Sequence, residues 1–248
     1  MRINYTVKGE GPSMMLLHGW GGSSASLEVL QQELAGMGFQ VFNVDLPGFG
    51  QSEMSKPVMD LDDYVEFLHS LIDKLNIYKP VIIGHSFGGQ LTMAHAIKYP
   101  RVASKLVLIN ASGLDPKNTA RKGFFLVVSK VFGTLFSVPP LSFVKPLVRS
   151  LYYKLIVRER DYLQAGTLQE TLKRVLSEHL DDRVRTIEED TLLIWGQNDT
   201  STPLWMGEQL QASIPSARLE VVEQATHGLP LKQPELVAKI IYTFVHAR

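Results

Sequence analysis

The sequence predicts an α/β fold: a doubly wound, mostly parallel sheet interrupted by one inserted helical segment. Three observations predict it. Short apolar runs recur along the chain, helix-period patterns lie between them, and one long stretch shows no convincing strand. The runs are Met14-Met15-Leu16-Leu17 before His18-Gly19, Gln40-Val41-Phe42-Asn43-Val44 before Asp45, and Pro80-Val81-Ile82-Ile83 before Gly84. Two more are Lys105-Leu106-Val107-Leu108-Ile109 before Asn110 and Thr191-Leu192-Leu193-Ile194-Trp195 before Gly196. Compact apolar runs of this length suit parallel strands covered on both faces, and their alternation with helices implies double winding.

Each intervening element has its own signal. Leu61, Tyr64, Val65, Leu68, Leu71, Ile72 and Leu75 recur at helical spacing, with Asp60 placed as N-cap. Phe87 to Tyr99 reads as a helix and Arg218 to Glu223 as a strand. From Leu114 to Ile187 the chain reads as several helices, broken at Gly133, Pro139-Pro140, Pro146 and Gly166. The expected organisation is therefore a core of residues 1–113 and 188–248 with a helical cap at 114–187. That insertion carries 13 Lys/Arg against 7 Asp/Glu, an excess of about six positive charges, and the remainder is correspondingly acidic. The asymmetry fits docking of cap on core, and equally an acidic substrate or partner.

Composition narrows the function. The 25 basic and 25 acidic residues balance, so no chain-wide positive excess exists to neutralise nucleic-acid phosphates. With no cysteine, disulfides, Cys-ligated zinc and a Cys nucleophile are ruled out. Met1 to Val7 alternates like a strand and lacks an apolar leader core. The most apolar stretch, Phe124 to Val138, is broken by Lys130 and is shorter than the roughly 20 residues a membrane span needs. A soluble, cytoplasmic chain is expected.

The strongest chemical signal is Gly84-His85-Ser86-Phe87-Gly88-Gly89, which follows one expected strand and opens a helix. A serine on so tight a strand-to-helix turn needs glycine two residues to either side, because side chains there would clash. Four other motifs accompany it: His18-Gly19-Trp20-Gly21-Gly22, Asp45-Leu46-Pro47-Gly48-Phe49-Gly50-Gln51-Ser52, Gly196-Gln197-Asn198-Asp199 and Ala225-Thr226-His227-Gly228. In order and spacing the chain resembles the α/β-hydrolase family over nearly its whole length. The resemblance implies an oxyanion loop at His18 to Gly22, a nucleophile at Ser86, an acid loop at Asp199 and a histidine loop at His227. One departure is visible: the family commonly opens with an antiparallel hairpin, and only Arg2 to Lys8 precedes the Met14 strand. A slightly smaller sheet is expected.

Serine needs a base within hydrogen-bond reach, and His227 is the candidate. His69, His95, His179 and His246 fall inside helix patterns, while His18 and His85 belong to motifs in which the family uses them structurally. Asp199, just past a strand end, is placed to orient the imidazole, and Ser86, Asp199, His227 is the chain order expected for the fold. Asp115 is the rival acid, and Asp190 precedes its strand at the wrong end of the sheet. Asp45 begins a Pro-Gly turn and reads as structural. The backbone N–H groups of Trp20 and Phe87 are the expected oxyanion donors. Neither a cofactor nor a metal is expected: no histidine pair shows ligand spacing beside a carboxylate, and Gly19 to Gly22 lacks the residues of a phosphate loop.

Phe124, Phe125, Phe132, Phe136, Phe143, Tyr152 and Tyr153 favour an apolar pocket. The expected substrate is a carboxylic ester with an apolar or medium-chain acyl or alcohol part. The His-Gly-Trp-Gly loop and basic insertion also resemble esterases of carrier-bound acyl groups, so an acidic or carrier-bound ester is a variant of that reading. A serine nucleophile argues against the haloalkane dehalogenase and epoxide hydrolase branches, which use Asp. Carbon–carbon bond hydrolases keep the same triad, although they usually place Asn where His85 stands. A ligand receptor that retains the triad is the remaining alternative.

Overall fold

The computed structural model describes residues 1–115 and 167–247. The chain divides into two compact units, Met1–Leu114 with Gly166–Arg248, and Asp115–Ala165. Apart from Asp115, the second unit lies outside the described residues, and so does most of the helical run expected between 114 and 187.

The first unit is built on one seven-stranded sheet in the order β1-β3-β2-β4-β5-β6-β7. The strands are β1 Tyr5–Lys8, β2 Ser13–Leu17, β3 Gln40–Val44, β4 Val81–His85, β5 Lys105–Ile109, β6 Thr191–Gly196 and β7 Ala217–Val222. Among the described strands only β1 runs antiparallel, against β3, and it lies within the Arg2 to Lys8 segment where a shortened opening was expected. β4 reaches two residues further than its apolar run suggested. Gly84 pairs with Leu17 and His85 with Ile109, so the two neighbours carry the strand right up to Ser86.

The pleat sorts the apolar runs into two cores. Met15, Leu17, Ile82, Leu106, Leu108, Leu193 and Trp195 face one side. Met14, Leu16, Val81, Ile83, Val107, Ile109, Leu192 and Ile194 face the other. A run with period 2 and no polar member must bury both its faces. Helix α1 (Glu28–Gly36) and the carboxyl-terminal Pro234–His246 close the second side, with Leu30, Leu34, Val237 and Ile241 inward. Helices α2 (Leu61–Lys74) and α3 (Phe87–Lys98) close the first. Asp60 caps α2 as expected, accepting from the Asp63 N–H at 3.0 Å, while the Asp63 side chain takes the Asp60 N–H at 2.8 Å.

Helix α4 (Thr167–Ser177), expected as part of the insertion, belongs to the core unit. Its amphipathic pattern explains this: Thr171 and Val175 are buried while Gln169, Glu170, Lys173 and Arg174 are exposed. Gln90 of α3 donates to the carbonyls of Val175 and Glu178, capping its carboxyl end, and Leu180, Val184 and Ile187 continue into the core. Helix α5 (Leu204–Ser213) follows β6, and the short α6 (Leu229–Lys232) leads into α7 (Pro234–His246). No helix among the described residues is long and apolar enough to cross a membrane.

The sheet order sets the place of the site. From β2 the chain passes outward to β3, then crosses back to β4 on the other side of β2. Between the carboxyl ends of β2 and β4 the winding reverses, and a crevice opens there in sheets of this kind. The His18 loop leaves β2 and Ser86 leaves β4 at that point.

Candidate active site

Ser86 holds φ 52° and ψ −114°, outside the ordinary regions for a residue with a side chain. Its turn is held on both sides: the Ser86 N–H donates to the Ile109 carbonyl at 3.0 Å, and the Ser86 carbonyl accepts from Gly89, Gln90 and Ser112. The flanking glycines are required sterically. A Cβ on Gly84 would run into the Gly88 carbonyl, and one on Gly88 into the Leu17 carbonyl. The expectation of a clash at these two positions is met.

His227, on the loop after β7, comes to Ser86. Its Nε2 lies 3.1 Å from Ser86 Oγ, and its Nδ1 lies 2.8 Å from Asp199 Oδ2. An ionised carboxylate can only accept, so Nδ1 carries the proton and Nε2 is left to accept from the serine hydroxyl. Asp199 is buried, and its Oδ1 takes the N–H groups of Ser201 at 2.7 Å and Thr202 at 3.0 Å. Burial, the largest influence, would raise its carboxyl pKa. The His227 hydrogen bond and charge, with the Thr202 donors, outweigh this and hold it below the usual value. The arrangement can deprotonate a serine and stabilise the imidazolium that results.

Trp20 and Phe87, the expected oxyanion donors, have side chains in edge contact, with ring centroids 5.3 Å apart. Among the described residues, neither of their N–H groups meets an acceptor. Trp20 also meets Phe49 at 4.9 Å, and Tyr64 backs Phe87 at 5.0 Å, which stiffens this wall.

His18 and His85 are buried and stay out of the serine–histidine line. The Leu46 N–H donates to His18 Nε2 at 3.0 Å, so Nδ1 carries the proton and donates to the Gly19 carbonyl at 2.8 Å. Burial lowers the His18 pKa to about 4, keeping it neutral. His85 Nε2 donates to the His227 carbonyl at 2.9 Å; burial, then the His227 charge, lower its pKa to about 4. Asp45 accepts from the N–H of Ser24 at 2.6 Å and of Gln51 at 2.9 Å, and from Asn4 Nδ2 at 2.8 Å, which makes it the tie of three loops.

Two residues of the site carry no motif. Asn110, fully buried at the end of β5, links the β6 and β7 loops, and Thr202 places its Oγ1 2.8 Å from Asp199 Oδ2 and 3.2 Å from His227 Nδ1. A polar residue directly following the apolar run Leu106 to Ile109 was the available signal for Asn110, since buried amides are hydrogen-bonded. Among the described residues no group of three or more His, Asp or Glu side chains is arranged to hold a metal ion.

A serine on a strained strand-to-helix turn, joined to a histidine and a buried aspartate at the winding reversal of such a sheet, defines a class of hydrolase. Residues 14–240 match the alpha/beta hydrolase family, and the chain belongs to it. An uncharacterized hydrolase of Bacillus subtilis, YugF, is 26% identical over 84% of this chain and 80% of its own. The 2-hydroxy-6-oxononadienedioate/2-hydroxy-6-oxononatrienedioate hydrolase 1 of Pseudomonas putida is 26% identical over 99% of this chain and 92% of its own. Among solved structures, an esterase from Exiguobacterium antarcticum superposes with a TM-score of 0.76 at 23% identity, covering 99% of this chain and 96% of that one. That likeness is one of fold.

Proposed function

We propose that this hydrolase cleaves a carboxylic ester with an apolar or medium-chain acyl or alcohol part, through an acyl-enzyme on Ser86. The observation that carries the reading is the unbroken line from Ser86 Oγ through the His227 ring to Asp199, with contacts of 3.1 Å and 2.8 Å. Ser86 attacks the ester carbonyl while His227 Nε2 takes its proton, and Asp199 holds the imidazolium. The N–H groups of Trp20 and Phe87 receive the developing oxyanion, an effect worth about 3–4 kcal/mol per donor. His227 then returns the proton to the leaving alcohol. A water, deprotonated by the same ring, hydrolyses the acyl-enzyme and restores Ser86. Chemistry of this kind requires no cofactor and no metal.

The apolar character of the substrate rests on the aromatic residues of the insertion at 114–187, and its basic excess extends the reading to acidic or carrier-bound esters. A cytoplasmic site of action is compatible with the cysteine-free chain. The test is hydrolysis of nitrophenyl esters of graded chain length by wild type and Ser86→Ala. Turnover with a chain-length optimum, lost in the variant, is expected. Turnover that survives in Ser86→Ala would sink the reading.

One observation favours a second reading. A 2-hydroxy-6-oxo dienedioate, the substrate in the name of the Pseudomonas relative, holds no ester, so its hydrolysis breaks a carbon–carbon bond beside the ketone. The same serine and histidine serve that reaction. Inert nitrophenyl esters with a turned-over vinylogous 1,5-diketone would select it over ester cleavage. Tight ligand binding without either turnover would select a receptor.

A further inference from the structure

His227 stands on a loop that its own strand holds poorly. Among the described residues β7 is the edge of the sheet, paired on one side only, and most of its residues are exposed or half-exposed. A ladder to one neighbour does not fix the height of a loop beyond the strand end. The loop's main chain is held from elsewhere. Asn110 Nδ2 donates to the carbonyls of Thr226 at 3.2 Å and His227 at 3.0 Å. His85 Nε2 donates to the same His227 carbonyl at 2.9 Å. One oxygen, on the residue whose ring meets Ser86, therefore carries two side-chain donors from two neighbouring central strands.

Asn110 is anchored as firmly as what it holds. Its Oδ1 accepts from the Gly196 N–H at 2.8 Å, its own N–H donates to the Ile194 carbonyl at 3.0 Å, and its carbonyl accepts from Thr202 Oγ1 at 3.0 Å. Its φ of 46° lies in the left-handed region, where asparagine is tolerated far better than a branched side chain. One buried amide thus joins the acid loop to the histidine loop. His85 makes the complementary link. It precedes Ser86 in the chain, so the dipeptide offers a hydroxyl to the His227 ring and an N–H to the His227 carbonyl.

We propose that Asn110 and His85 are positioning residues that grip the His227 carbonyl from two sides and set the reach of its ring to Ser86. The inference rests on the reading of Ser86 and His227 as nucleophile and base. Asp at 110 keeps the acceptor for Gly196 and the shape, but it offers no donor and sets a negative charge against two carbonyls. Gln at 85 carries an N–H that reaches as far as the imidazole Nε2, whereas Phe at 85 carries none. Because both donors share one acceptor, removing either leaves a single hold, and removing both leaves none.

The experiment measures kcat and KM on nitrophenyl acetate for Asn110→Asp, His85→Phe, His85→Gln and Asn110→Asp/His85→Phe, with thermal melts, beside wild type and Ser86→Ala. Expected are a kcat loss of about 10- to 100-fold in Asn110→Asp and about 10-fold in His85→Phe, with KM within about twofold. His85→Gln is expected to regain most of the loss, and the double variant to fall below the product of the single effects. Phe and Gln at 85 with the same kcat, or folded Asn110→Asp at wild-type kcat, would overturn the proposal. Should Asn110→Asp fail to fold, the Phe and Gln pair at 85 decides alone. A Ser86→Ala variant that still turns over would instead remove the nucleophile reading beneath it.

Discussion

Two buried carboxylates stand just past strand ends of the core unit, Asp45 directly after β3 and Asp199 three residues after β6. Both are almost wholly shielded from solvent, and both titrate below the usual carboxylate range because hydrogen bonds outweigh the burial that opposes ionisation. Their partners differ. Asp45 is held by the N–H groups of Ser24 and Gln51, the side chain of Asn4 and the Ser24 hydroxyl. Asp199 gives one oxygen to the amides of Ser201 and Thr202 and keeps the other for the Thr202 hydroxyl and the His227 ring. A carboxylate whose partners are all amides and a serine hydroxyl closes a fold. One that reserves an oxygen for an imidazole can work through it.

The comparison is broken most sharply by exchanging each carboxylate for its amide. Asp199→Asn is expected to lower kcat about 10⁴-fold, because an amide donor facing Nδ1 favours the wrong tautomer of His227. Steady-state kinetics at fixed pH read this directly. If Asp45→Asn gave the same loss, the two carboxylates would not differ in role.

Acid titration gives the next largest effect. Burial lowers His18, His85 and His95 to about 4 from an ordinary 6.5. Between those values the unfolded chain binds protons that the folded chain refuses, so stability falls as pH drops from 6.5 toward 4. The three together give a slope of up to about 4 kcal/mol per pH unit. The depressed carboxylates act lower: their contribution is complete above the ordinary carboxylate pKa and is lost as pH falls through the folded values. Urea midpoints from pH 7 to 4 test the order. Neither ring nitrogen of His95 has a partner among the described residues, so His95→Leu is expected to flatten that slope without loss at pH 7.

Asp45→Asn comes next. Turning an amide toward the Ser24 or Gln51 N–H leaves a buried donor unmet, and a loss of about 2–3 kcal/mol is expected from denaturant unfolding with kcat nearly unchanged. Smallest is Asp60→Ala at the start of α2, where the carboxylate caps the helix. It should cost about 1 kcal/mol and leave kinetics untouched.

These contrasts also mark what the chain declares locally. The central strands were legible because unbroken apolar runs have few other places to go, and α2 because its spacing and its Asp60 cap agree. That Ser86, Asp199 and His227 would meet was legible because their glycine- and turn-rich motifs follow strand ends in the order of the family the chain resembles. Asn110 and Thr202 were not. Each is an ordinary polar residue near a strand end, and its meaning lies in partners 86 to 117 positions away for Asn110 and 3, 25 and 92 positions away for the Thr202 hydroxyl. The attachment of α4 to the core was missed similarly, because a helix pattern shows an apolar face without naming what covers it.

The most direct measurement is labelling with a fluorophosphonate, followed by peptide mass mapping, on wild type, His227→Ala and Asp199→Ala. A single adduct on Ser86, formed at least about 100-fold more slowly in both variants, is the predicted result. An adduct on another residue, or labelling of Ser86 that is indifferent to His227, would contradict the reading of these three residues as one catalytic line.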